Sequence, residues 1–256
     1  MVTPFSGRLY HSLQPLNKSL NPQIPKLKML RIFASLLLLP LCVAVPLATL
    51  SVLRAASSSE NLFSPPTCAF AAGWLAWMLV WFLLKTPMKI YVFGHEMTHA
   101  LWGLLFGARV GKMRVSNKGG SVMLSKTNLL ISLAPYFFPF YTMLVVGVYL
   151  LAACFMDMAR FRLAFLFLVA FTWGFHITFT FISLRVRQPD VMEHGRLFSW
   201  VVIWLANIAQ VGLWMVAVTP VMFSFYWTQL CARSGGAYFS VWLATCAAAA
   251  WTRRLL

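Results

Sequence analysis

Stretches of about 20 apolar residues recur along the chain, separated by short basic or proline-containing breaks. An α-helix needs a run of that length to cross the hydrocarbon core of a bilayer. Only helices and closed barrels can do so, because backbone groups find no water there. Composition points the same way: 61% of residues are hydrophobic and 10% charged, with a mean hydropathy of +0.77. A soluble enzyme of 256 residues would not carry so many such runs. The runs fall at about 30–53, 67–84, 90–106, 127–155, 161–184, 197–225 and 237–251. The expected fold is an all-α polytopic membrane protein of about six to seven apolar helices. Residues 29–256 are expected to form a single membrane-embedded domain, its core at about 90–200.

Breaks in these runs carry further information. Pro40 and Pro46 loosen the first span, and Ala134-Pro135 and Phe138-Pro139 interrupt the fourth. Between 108 and 126, alternating Val110, Met113, Val115, Val122 and Leu124 flank Asn117-Lys118-Gly119-Gly120, which predicts a short β-hairpin or a reentrant loop. Gly103, Gly107 and Gly111 recur every four residues as a small-residue seam. Residues 1–28 are acid-free and rich in Ser, Asn, Pro and Leu, the composition of a mobile tail or an organelle-targeting segment. The net charge of +16 is not a nucleic-acid signature, because Lys and Arg sit in short clusters between apolar runs. There they anchor the spans at the headgroups of a lipid bilayer. The five cysteines form no C-x-x-C pair and read as small core residues.

Within the third run stands His95-Glu96-Met97-Thr98-His99. Two histidines four apart on a helix share a face, so both imidazoles can reach one metal ion, and the Glu between them can handle water activated there. The chain holds only three Glu, two Asp and five His. Such a pentad arises by chance about once in a thousand chains of this composition. Burying these groups in an apolar segment is expensive, which points to a use for them. The sequence thus predicts one zinc ion, His95 and His99 as ligands and Glu96 as the catalytic base.

A catalytic zinc takes a third protein ligand. Glu60 and Asp157 read as surface charges. Asp190 precedes an apolar helix and can point into the site from its N-terminal end; it is favoured. His176 is the alternative third ligand. It shares one helix face with Thr172, Thr180 and Ser183, a polar stripe of the kind that faces a bundle interior. His176, Pro135 and Pro139 are also the expected substrate-binding residues, since a proline break frees main-chain groups for an extended substrate.

The stretch Phe93-Gly94-His95-Glu96-Met97-Thr98-His99-Ala100, followed by Gly107, Val110, Val115 and Gly119-Gly120, resembles the first signature of the site-2 protease family of intramembrane zinc metalloproteases. The likeness continues through Pro135 and Pro139. Where that family has an Asp-Gly pair supplying the third ligand, this chain has Pro189-Asp190, with Gly195-Arg196-Leu197-Phe198 five residues on. The resemblance implies a zinc metalloendopeptidase that cuts in or near transmembrane segments of other membrane proteins. It implies a multi-pass protein of a bacterial inner membrane, with an organelle membrane as the alternative. Two other readings stand beside it. One is a catalytically inactive membrane scaffold that keeps the pentad. The other is a different class of membrane metalloprotease that takes a later Glu, here Glu193, as third ligand.

Overall fold

The computed structural model describes residues 23–57, 63–84 and 87–255. Ten α-helices and one hairpin follow in order: α1 Gln23–Leu38, α2 Leu41–Ser57, α3 Pro65–Leu83, α4 Met88–Leu105, β1 Val110–Ser116, β2 Gly119–Leu124, α5 Leu129–Phe137, α6 Phe140–Ala153, α7 Arg162–Arg185, α8 Pro189–Glu193, α9 Arg196–Val218 and α10 Phe223–Leu255. Glu60 and residues 1–22 of the expected tail lie outside the described residues; residues 23–28 are already helical.

Among the described residues four helical stretches are long and apolar enough to cross a membrane: Leu27–Ser57, Pro65–Leu83, Ala159–Arg185 and Arg196–Val218. The pair α5 and α6, bent by 81°, makes a fifth if counted as one broken span. This is fewer than the six to seven expected from sequence. The difference lies in α4, whose Lys, Glu and two His dilute it, and in the C-terminal helix. That helix begins at Phe223 and takes in the polar stretch around Arg233-Ser234-Gly235-Gly236, which the sequence reading had left out of any helix. The span expected at 197–225 stops at Val218, just before Thr219-Pro220, since proline cannot donate to the helix ladder. Pro46, expected to loosen the first span, sits inside α2; the interruption comes at Leu39-Pro40.

The chain groups into two compact units, Pro65–Ser199 in one and Leu27–Ser64 with Trp200–Leu256 in the other. In the second, α2 packs along α10, and Ala48, Val52 and Tyr226 form its buried apolar cluster. Gly212 makes room there for the Tyr226 ring.

The first unit carries the pentad. Its α3 and α7 lock together through reciprocal glycines: Gly73 lies against the backbone of Phe167, and Gly174 lies under Trp74 and Trp77. Small residues at a crossing let helix backbones approach where no hydrophobic drive exists between them. Trp77 donates to Thr178 Oγ1 at 3.1 Å, and its ring meets Phe171 and Phe175 edge-on. The outer faces of α3 and α7 stay apolar and exposed, with Leu79, Phe82, Leu168 and Phe181 among the residues presented outward. Apolar surface of that extent is tolerated against lipid, not water.

Against this pair sits α4, buried on most of its circumference, with Tyr91, Val92, Gly94, His95, Glu96, Thr98, His99, Ala100 and Gly103 all enclosed. It ends in a Schellman turn: the Ala108 amide bonds to the Gly103 carbonyl and the Gly107 amide to Leu104, each at 2.8 Å, with Gly107 at φ +70°. The expected glycine seam is therefore not a helix-packing stripe. Gly103 meets Leu124 of the hairpin, Gly107 ends the helix, and Gly111 lies in β1.

The hairpin is present as expected, antiparallel, with Ser116 paired to Gly119. Its strand β2 lies on α4 at Gly120, where a Cβ would stand 2.6 Å from Val92 Cγ1 and 2.7 Å from Glu96 Cγ. The cysteines differ from the expected core role: Cys68, Cys154, Cys231 and Cys246 are exposed and Cys42 is half-buried.

Gly120→Ala is expected to lower the stability of the detergent-solubilised protein by about 1–3 kcal/mol, the usual cost of overpacking. Gly147→Ala, at a helical position with open space around it, is expected to leave the thermal midpoint unchanged or to raise it. Equal midpoints for the two variants would show that the hairpin is not seated on α4.

Candidate metal centre

His95 and His99 project from one face of α4, one turn apart, their ring centroids 4.9 Å from each other. Both Nε2 atoms turn toward the same oxygen. Asp190 Oδ2 lies 3.7 Å from His95 Nε2 and 3.5 Å from His99 Nε2. One ligand atom from each of the three residues falls within 4.8 Å of the other two, and all three residues are buried. Among the described residues this is the one group of three such side chains. A tetrahedral ion with bonds of 2.0–2.1 Å sets its ligand atoms about 3.3 Å apart, so the cluster needs only a small contraction to close on one. The donor set, two imidazoles and a carboxylate, suits zinc.

Each ligand is fixed from behind. His99 Nδ1 lies 2.8 Å from the carbonyl oxygen of Ile131 in α5. A carbonyl can only accept, so Nδ1 carries a hydrogen and Nε2, which faces Asp190, is the nitrogen that an ion would take. His95 Nδ1 lies 3.3 Å from the Tyr91 hydroxyl. Tyr136 of α5 donates to Asp190 Oδ2 at 3.2 Å and meets the His95 ring edge-on at 5.4 Å.

Asp190 reaches the site because α8 is pinned at both ends. Gln188 Nε2 donates to the Ser183 carbonyl at 3.0 Å, Ser199 Oγ donates to the Val191 carbonyl at 3.0 Å, and Gly195 at φ +90° turns the chain into α9. Burial alone would push the Asp190 carboxyl up, but hydrogen bonds and charge from His95 and His99 hold it well below the usual carboxylate range.

Glu96 is buried beside this group but outside the ligand set. Strand β2 lies against it at Gly120, which leaves the space that its side chain occupies. The hairpin therefore holds the candidate base in place.

The structure sorts the remaining sequence candidates. His176 does not join the three-residue group. It is buried on α7 and lines a small open cleft with His95, Thr98, Pro135, Tyr141 and Phe175. Pro135 borders the same cleft; Pro139 itself does not, although its neighbours Phe138 and Phe140 do. Glu193 is exposed at the end of α8, and Asp157 accepts from the Ala159 amide in its own turn. Sequence reasoning missed Tyr91, Tyr136 and the Ile131 carbonyl. Tyr91 was open to discovery: it precedes His95 by four residues and so shares its helix face. Tyr136 carries no such signal, because its partner lies 54 residues away.

No family model, curated protein or solved structure matches this chain.

Substituting any one of the three candidate ligands, as His95→Ala, His99→Ala or Asp190→Asn, is expected to abolish stoichiometric zinc in the purified protein. His176→Ala is expected to keep it. Elemental analysis of the four variants checks this, and the reverse pattern at Asp190 and His176 would replace the third ligand.

Proposed function

We propose that this protein is an intramembrane zinc metalloendopeptidase of the site-2 protease type. It hydrolyses peptide bonds in or near transmembrane segments of other membrane proteins. The observation that carries the proposal is the convergence of two imidazoles of one helix and a distant carboxylate, with a further buried Glu beside them. His95, His99 and Asp190 are the residues that would hold the ion. Zinc bound there supplies Lewis acidity and brings the pKa of water toward neutrality.

Glu96 is the general base. It takes the proton released as water adds to the peptide carbonyl carbon and returns it to the leaving amine nitrogen. Close packing of the side chain against Gly120 of β2 limits where the carboxylate can reach. The cleft beside His95 receives the chain around the scissile bond, with His176 and Pro135 in its walls. The substrate helix has to unwind there, because a helical amide is shielded by its own hydrogen bonding. Enclosure of α4 by α5, α6, α7 and the hairpin keeps the polar groups from lipid. The expected setting is a bacterial inner membrane, with an organelle membrane as the alternative.

Glu96→Gln tests the proposal. The variant is expected to retain zinc and to slow trimming of a co-expressed membrane reporter by about a hundredfold or more. Undiminished trimming would remove Glu96 from the chemistry. A reporter untouched by zinc-loaded wild type, yet captured by it, would favour the scaffold.

A further inference from the structure

We infer that Pro135 is a positioning residue of the metal centre: its missing amide hydrogen leaves the Ile131 carbonyl free to hold His99. The inference rests on the reading of His99 as a ligand. In an α-helix the amide of residue i donates to the carbonyl of residue i−4. Pro135 lies inside α5, and the residue four before it is Ile131. Proline has no N–H, so the regular donor to the Ile131 carbonyl does not exist. That oxygen is buried with its residue, 1% exposed, where an acceptor without a donor is costly. His99 Nδ1 supplies the donor at 2.8 Å.

The consequence is directional. A free carbonyl on α5 fixes a hydrogen on His99 Nδ1 and so turns Nε2 toward Asp190, where an ion would take it. An ordinary residue at 135 would bring back an amide that competes for the same oxygen. The proline thereby contributes in two ways: it lines the cleft, and it gives up one helix hydrogen bond so that a ligand can be oriented. The rest of α5 holds the carbonyl in place. Asn128 Oδ1 caps the helix by accepting from the Ile131 amide at 2.9 Å, and Thr127 bonds Ser132 across the first turn at 3.1 Å.

Pro135→Ala and Pro135→Ser, two side chains with the same restored amide, test the inference in the full-length, detergent-solubilised protein. Cobalt(II) titration against a competing chelator is expected to show about a tenfold loss of affinity in both, the scale typical of a ligand's hydrogen-bond partner. Nitrogen-15 correlation spectra of the imidazoles in metal-free protein are expected to show a strongly hydrogen-bonded Nδ1–H on His99 in wild type and a weakened one in the variants. The metal-free thermal midpoint is expected to hold or rise, because a helix bond is regained.

Unchanged affinity and an unchanged Nδ1 hydrogen bond in both variants would overturn the inference. So would a loss of affinity that comes with a lower metal-free midpoint, since that marks general loosening of α5. If wild type binds no cobalt, the ligand reading falls, and the comparison of the Nδ1 hydrogen bond still decides whether Pro135 positions His99.

Discussion

Burying a carboxylate in a bundle with an apolar exterior carries a desolvation cost that only close, well-directed partners offset. Asp190 meets two imidazoles and a phenol around a single oxygen. That convergence ties three separate parts of the chain together: α4 with the pentad, α5 with Tyr136, and α8 with the carboxylate. Remove it and little reason remains for α4 to carry a Glu and two His in an otherwise apolar setting, or for a five-residue helix to be pinned at both ends.

The packing around α4 follows from the same requirement. Polar groups there must be satisfied by protein, because lipid offers nothing. Gly94 admits the Tyr141 ring of α6, whose hydroxyl donates to the Ile90 carbonyl at 2.6 Å. Gly120 admits the Glu96 side chain beneath β2. The Tyr91 ring stacks on Phe179 with centroids 4.5 Å apart, which sets the height of its hydroxyl beside His95. Apolar packing thus places the polar tips, and those tips orient the ligands.

Much of this was legible in the chain itself. The pentad, the hairpin chemistry at Asn117-Lys118-Gly119-Gly120 and the break at Phe138-Pro139 are local signals, and the structure has each where the residues put it. Asp190 was favoured as third ligand because it precedes an apolar helix; its placement beside His95 and His99 depends on tertiary contacts from Gln188 and Ser199 that no local pattern records. Counting spans from apolar runs overshot, since hydropathy windows around α4 and α10 mix apolar residues with His, Glu, Arg and Gly. The two tyrosines stayed hidden for a related reason: in a chain 16% aromatic, a tyrosine that hydrogen-bonds a ligand looks like any other.

The account requires one divalent cation gripped by two imidazoles and one carboxylate within the first unit. Zinc-edge X-ray absorption of the purified full-length protein measures that coordination directly. The account predicts a four-coordinate ion with only nitrogen and oxygen neighbours at about 2.0–2.1 Å, two of them showing the outer-shell scattering of imidazole rings. A sulfur neighbour near 2.3 Å, or an ion surrounded by water alone, would contradict it.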